Sequence, residues 1–303
     1  MYSDADTLVD RRRLKWRLTF WRVVAVIAVV GAAVVGFGRF DENGFSDYVA
    51  RLDIDGLILT DRSVEEALAE TAKSGNAKAL LLFIDSPGGT VVGGETLYRS
   101  IREVAEKKPV VAVMGNTATS AAYMAALGAD YIVAHAGTVT GSIGVILQTA
   151  DVTGLLEKIG VKPETVKSGA LKAQPNPMER YSADARRMPQ AVEAELHEMY
   201  DDMVRERRGM DAARAREISD GRIFSGRQAV SGGLVDAIGG EKEARAWLAE
   251  SRGVDAALEM RNIHELPPEE IWRRMLSGLV GKALFSERLK LDGVISLWHR
   301  GIQ

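Results

Sequence analysis

Between residues 48 and 134 the chain alternates two kinds of pattern. VARLDIDGLIL reads as an extended segment, and RSVEEALAETAKS as a helix capped by Ser63. AKALLLFID, PVVAVM and DYIVAH are apolar almost from end to end. Between them lie TLYRSIREVAEKK, an amphipathic helix closed by lysines, and SAAYMAALGA, a short helix. Strands without a polar face, alternating with helices, predict an α/β fold whose sheet is covered on both sides. From about residue 182 to 220 the pattern turns helical: SADARRMPQAVEAELHEMYDDMVRERRGM is long and charge-laced, and Pro189 should begin a helix or kink one. DGRIFSGRQAVSGGLVDAIGG is turn-rich, and a further helix is expected around 241–251. In the tail, Ile271, Trp272, Met275, Leu276, Leu279 and Val280 recur at helical spacing. That stripe suits core or subunit packing, with contact at a membrane surface as the alternative.

The N-terminal pattern is different. Arg11, Arg12, Arg13, Lys15, Arg17 and Arg22 are followed by VVAVIAVVGAAVVGF, Val23 to Phe37, which carries no charge. Counted from Leu18 the stretch reaches the roughly 20 apolar residues that cross a bilayer, with Arg22 snorkelling to the headgroups. Trp16 and Trp21 then fall in the interfacial belt, and the basic cluster keeps the N-terminus in the cytoplasm. The expectation is a single uncleaved anchor over 18–40, with the remaining chain on the far side of the membrane. A signal peptide cleaved near the GAA at 31–33 is the rival reading.

Composition narrows the chemistry. The 303 residues carry a net charge of −3, which offers no basic face for nucleic acid. The absence of cysteine removes disulfides, thiolate zinc sites and a cysteine nucleophile together. Three short stretches remain as candidates. DSPGGTVVGGE lies where a buried strand should end. Gly88 and Gly89 there have no Cβ in the way of an approaching group, so their amides can face an oxyanion; a plain tight turn is the other reading. Ser120 opens a helix after the next apolar strand, where a serine is more commonly a cap than a nucleophile. A nucleophilic serine needs a base. Of His135, His197, His264 and His299, only His135 follows a buried strand. Lys172, set in VKSGALKAQPNP away from the acidic runs, can serve instead if it is neutral.

Taken in order, IDSPGG, NTATSAAYMAALGADYIVAHAGTVTGSIGVI, VKSGALKAQPNPME and ISDGRIFSGRQAVSGGLVDAIGG resemble the signal peptide peptidase A family, in its short bacterial form. The resemblance covers about residues 48–250. It implies a Clp protease/crotonase-like ββα spiral core and a Ser/Lys dyad, a variant of the catalytic triad that needs no cofactor and no metal. Carried over, Ser120 is the nucleophile and Lys172 the general base. Ser142 of TGSIG orients the lysine, and Gly88 or Gly89 donates to the oxyanion. The family form also implies a homo-oligomeric ring in which a neighbouring subunit supplies the lysine, and signal peptides as the substrate class. The implied layout is a basic cytoplasmic tail at 1–17, the anchor contacting lipid at 18–40, a linker at 41–47, a peptidase domain at 48–255 and a helical extension at 256–303. One departure stands out: Ala121 and Ala122 occupy positions where the family usually has glycines, which should narrow the groove beside the serine. Three other readings stay open: a catalytically silent membrane scaffold of the same fold, a crotonase-like acyl-CoA enzyme, and a Ser–His site built on His135.

Overall fold

Among the described residues, the apolar runs become strands of one nine-stranded mixed sheet. The structure, a computed structural model, describes residues 20–29, 46–264 and 295–297. The chain divides into two units, Met1–Asp47 and Tyr48–Gln303. In the first, residues 20–29 form a helix, α1, with exposed side chains. The rest of the expected anchor, the basic tail and most of the linker lie outside the described residues. Among the described residues no helix is long and apolar enough to cross a membrane. The apolar stripe expected from 271 to 280 also lies outside them.

The second unit begins β1 (Tyr48–Ile58), α2 (Arg62–Lys73), β2 (Ala77–Thr90), α3 (Val91–Ala105), β3 (Val110–Thr119) and α4 (Ala121–Ala126). It continues with β4 (Tyr131–Ala134), β5 (Val139–Gly141), α5 (Thr153–Lys158), α6 (Ala183–Arg208) and α7 (Ala212–Ile218). It closes with β6 (Ile223–Ser225), α8 (Gly226–Gly232), β7 (Ala237–Ile238), α9 (Glu241–Arg252), β8 (Glu259–Asn262) and β9 (Ile295–Leu297). The main strand order is β6-β5-β3-β2-β1-β8, with β4 and β7 continuing from β3 and β9 on β2. Pairing is parallel except for β6 on β5 and β9 on β2.

The two faces follow from strand alternation. Leu80, Leu82 and Ile84 of β2 enter one core with Leu68, Ile101, Met124 and Tyr200. Ala79 and Leu81 enter the other with Val111, Val113 and Val133, closed by Ala244 and Leu248 of α9. Each fully buried leucine contributes about 1.5–3 kcal/mol, enough to offset the ~1–2 kcal/mol of backbone entropy lost on ordering its residue.

Two local expectations need correcting, as does the helical extension at 256–303, whose described residues hold strands β8 and β9. The cap of α2 is Asp61 rather than Ser63: Asp61 Oδ1 accepts the Ser63 N–H at 2.9 Å, and a carboxylate offers the helix start charge as well as an acceptor. Pro189 falls within α6 rather than at its start, because Ser182 sets the helix start earlier by accepting the Ala185 N–H at 3.1 Å. The segment expected as a turn after Asp85 is strand as far as Thr90. Gly88 and Gly89 are held as strand because both edges are paired, with Leu57 and Ile58 on one side and β9 on the other.

Candidate active site

The C-terminal ends of β2, β3 and β5 meet at one edge of the sheet. Ser86 pairs with Ala118, and Thr119 pairs with Gly141. Ser120 and Ser142 each follow a member of that second pair, so they leave neighbouring strands at the same level, about one strand spacing of 4.8 Å apart. The Ser120 N–H donates to Gly141 O at 2.9 Å, which ties the two departures together. The Ser142 N–H donates to Arg222 O at 2.8 Å, anchoring the second loop to the chain before β6. On the other side, the Thr119 hydroxyl donates to Pro87 O at 3.1 Å, binding the glycine segment to the strand that carries Ser120. Three of the four expected elements, Gly88–Gly89, Ser120 and Ser142, are thus brought together. The open edge of an α/β sheet beyond its strand C-termini is where such folds place ligands.

Ser120 is not a helix cap. It occupies the N-cap position of α4, yet its side chain makes no capping hydrogen bond. Its backbone sits at φ 59, ψ −123, a conformation that costs a non-glycine residue about 1–3 kcal/mol and persists only where the surroundings impose it. They do so here. Besides the bond to Gly141, Ser120 O accepts the Met124 N–H at 2.9 Å and the Tyr200 hydroxyl at 2.5 Å. Ser142 is held at positive φ as well, at 49°.

The alanines after Ser120 are enclosed within the chain. Ala121 and Ala122 are fully buried in the larger core. A Cβ placed on Gly94 of α3 would come within 2.9 Å of the Ala121 Cβ. The Ala121 methyl is therefore accommodated by a glycine on the facing helix.

Gly89 has no room for a side chain: a Cβ would stand 1.9 Å from Ile58 O. Gly88 adopts φ 106, which favours glycine, and its N–H donates to Ser86 Oγ at 3.1 Å. Ser86 Oγ–H in turn donates to Gly56 O at 2.6 Å. Beyond Ser86, β3 no longer pairs with β2, and the edge from Gly88 to Thr90 is taken by β9, with Gly88 opposite Leu297 and Thr90 opposite Ile295.

Lys172 is exposed, on a turn closed by its own N–H donating to Gly169 O at 3.1 Å. Its neighbour Lys167 is engaged elsewhere, paired with Glu179, whose carboxyl is held below the usual carboxylate range chiefly by that bond. His135 is excluded by register. It follows Ala134, which pairs with Met114, six residues before Ser120 and so about 20 Å back along the strand. Its ring lies against Gly240 instead.

Two further residues hold the site, Asp85 from within the IDSPGG stretch and Tyr200 from a distant helix. Asp85 accepts the Thr117 N–H at 3.0 Å and the Asn116 side-chain amide at 2.7 Å, bridging β2 and β3 where their register shifts. Tyr200 reaches the site from α6, 80 residues along the chain. Its position in HEMYDD is one apolar residue of a helix stripe, which signals burial and nothing more.

The family model for peptidase family S49 matches residues 102–255, a span that holds Ser120, Ser142 and Lys172. The chain belongs to peptidase family S49. It is a serine-type peptidase, and the resemblance to the signal peptide peptidase A group holds. A Synechocystis protein whose name describes a protease is 36% identical over 233 residues, covering 76% of this chain and 83% of that one. An Enterococcus faecium relative named as a signal peptide peptidase SppA is 37% identical over 55% of this chain and 49% of its own. The chloroplastic serine protease SPPA of Arabidopsis thaliana is 29% identical over 80% of this chain, yet this S49 chain spans only 36% of its length.

Proposed function

We propose that this S49 peptidase hydrolyses extended apolar peptides by a Ser120/Lys172 dyad, with signal peptides left in a membrane as the substrate class. The observation that carries the reading is the shared strand level of Gly88–Gly89, Ser120 and Ser142, with Ser120 held in a strained elbow. Ser120 Oγ attacks the scissile carbonyl. The neutral Lys172 amine takes its proton and returns it to the leaving amine, and Ser142 orients the lysine. Two amides face the developing oxyanion: Gly89, since the Gly88 N–H is engaged by Ser86, and Ala121, whose N–H opens α4 where a helix has no internal acceptor for it. A serine-directed fluorophosphonate should label Ser120 in the wild type, located by peptide mass spectrometry. A protein left unlabelled is the scaffold, not the peptidase.

An oligomer supplies what the single chain lacks. The segment that carries Lys172 has little core of its own: no residue of α5 is buried, and Leu155, Ile159, Val166, Leu171 and Met178 are exposed. Packing that surface against a second copy buries it and desolvates the lysine, the condition under which an amine acts as a base. In this reading an anchor over 18–40, expected from the charge and hydropathy of the sequence, would put the site on the extracytoplasmic side of a bacterial membrane, where an anchored enzyme meets peptides confined to the same two dimensions.

The substrate binds as a strand. The edge of β2 at Gly88–Thr90 already takes an extended segment of this chain, β9, in antiparallel pairing beside Ser120. A peptide entering there competes with β9. Removing residues 295–303 should raise kcat/KM on an apolar peptide severalfold and leave Tm within a degree or two. An unchanged or lower kcat/KM contradicts a substrate at this edge.

A further inference from the structure

We infer that Tyr200 is a positioning residue for the hydrolytic step: its hydroxyl holds the Ser120 carbonyl and thereby aims both the nucleophile and the amide that follows it. Tyr200 stands near the C-terminal half of α6, is fully enclosed, and places its hydroxyl 2.5 Å from Ser120 O. The carbonyl it holds belongs to the one residue between β3 and α4, at φ 59, ψ −123. A regular helix would hold that carbonyl by its i+4 amide alone, and Met124 N–H does this at 2.9 Å. The tyrosine adds a second donor from a distant element.

The consequence follows from peptide planarity. Ser120 C=O and Ala121 N–H belong to one rigid plane and point in opposite directions. A donor that fixes the oxygen therefore fixes the direction of the N–H, and it polarises the group so that the N–H becomes a stronger donor. The same plane is bonded to the Cα from which Ser120 Oγ projects. One hydroxyl thus governs two of the parts that the proposed mechanism needs, and the inference rests on that reading of Ser120 and Ala121. Burial pushes the Tyr200 phenol well above its ordinary range, so it remains a donor throughout the range in which a peptidase works. Tyr200 has no route to the substrate itself. It acts through Ser120, from behind, on the core side of the elbow.

A matched control lies three residues beyond the nucleophile. Tyr123 is also fully buried, and its hydroxyl also donates to a backbone carbonyl, Leu234 O at 2.8 Å, but not to the site. Tyr200→Phe and Tyr123→Phe each delete one buried hydroxyl that donates to one carbonyl. Both should lower Tm by a similar few degrees. Only Tyr200→Phe should lower kcat on an apolar peptide, by tenfold or more with KM within twofold of wild type, and slow fluorophosphonate labelling of Ser120 to the same degree. Tyr123→Phe should keep kcat and labelling rate within twofold. The inference is overturned if Tyr200→Phe keeps its kcat, if it loses activity through KM alone, or if both variants lose kcat alike, which would mark general loosening of the core. Failure of the peptidase reading looks different: there the wild type itself is neither labelled nor active.

Discussion

Subunits carrying Ser120→Ala, mixed and reassembled with subunits carrying Lys172→Ala, recover peptide hydrolysis that neither variant shows alone. Each homogeneous variant should lose about a thousandfold or more in kcat, because members of a nucleophile–base unit fail together. The recovery follows from where the two residues lie. Ser120 is 1% exposed at the strand edge, while Lys172 sits on an exposed turn in a segment that buries little. In a head-to-tail ring each site takes its serine from one copy and its lysine from the next. Random mixing in equal amounts then leaves about a quarter of the sites with both residues intact, and about a quarter of wild-type activity. Activity that stays at the level of the single variants after verified subunit exchange places both residues in one chain and refutes the shared site.

Gly89→Ala should lower kcat about a hundredfold, the size expected for loss of one oxyanion donor, and lower stability by about 1–3 kcal/mol from overpacking. The new Cβ would lie 1.9 Å from Ile58 O and 2.6 Å from Ile58 N and C. These are backbone atoms of β1, so no rotamer change relieves the clash. Strand β2 must move off β1 there, carrying the Gly89 amide and the substrate edge with it. Kinetics with a thermal melt separate the two effects: a variant that melts lower but turns over normally shows that Gly89 is needed for packing alone. Gly226→Ala provides the comparison, since its Cβ would stand 2.0 Å from a backbone oxygen, His135 O, away from Ser120.

Four strands, β1 to β4, were readable from the chain because each rests on local pattern, whereas β5 to β9, only two to four residues long, leave no periodic signal. A run such as AKALLLFID has no polar face to turn to water, so it must be a strand covered on both sides, and β2 is one. The glycine segment misled because turn chemistry and strand pairing compete. Gly88 and Gly89 permit a turn, but Leu57, Ile58 and β9 offer them partners, and those partners are distant in sequence. The doubt about Ala121 and Ala122 had the same origin. Whether a methyl faces a groove or a core depends on what lies opposite, and Gly94 does.

The order of the motifs proposes the residue types of the site: a serine after one apolar strand, a second serine after TG, a lysine in a rigid uncharged stretch. It was not enough to tell a cap from a nucleophile at Ser120, because the two differ in backbone angles and hydrogen bonds that the fold imposes. The elbow at φ 59 exists because β5 holds the Ser120 N–H while Met124 and Tyr200 hold its carbonyl. Composition and periodicity act over a few residues and set what each segment can become. The bonds that hold Ser120 in its elbow span up to 80 residues, and only packing of the completed sheet and helices brings their ends together.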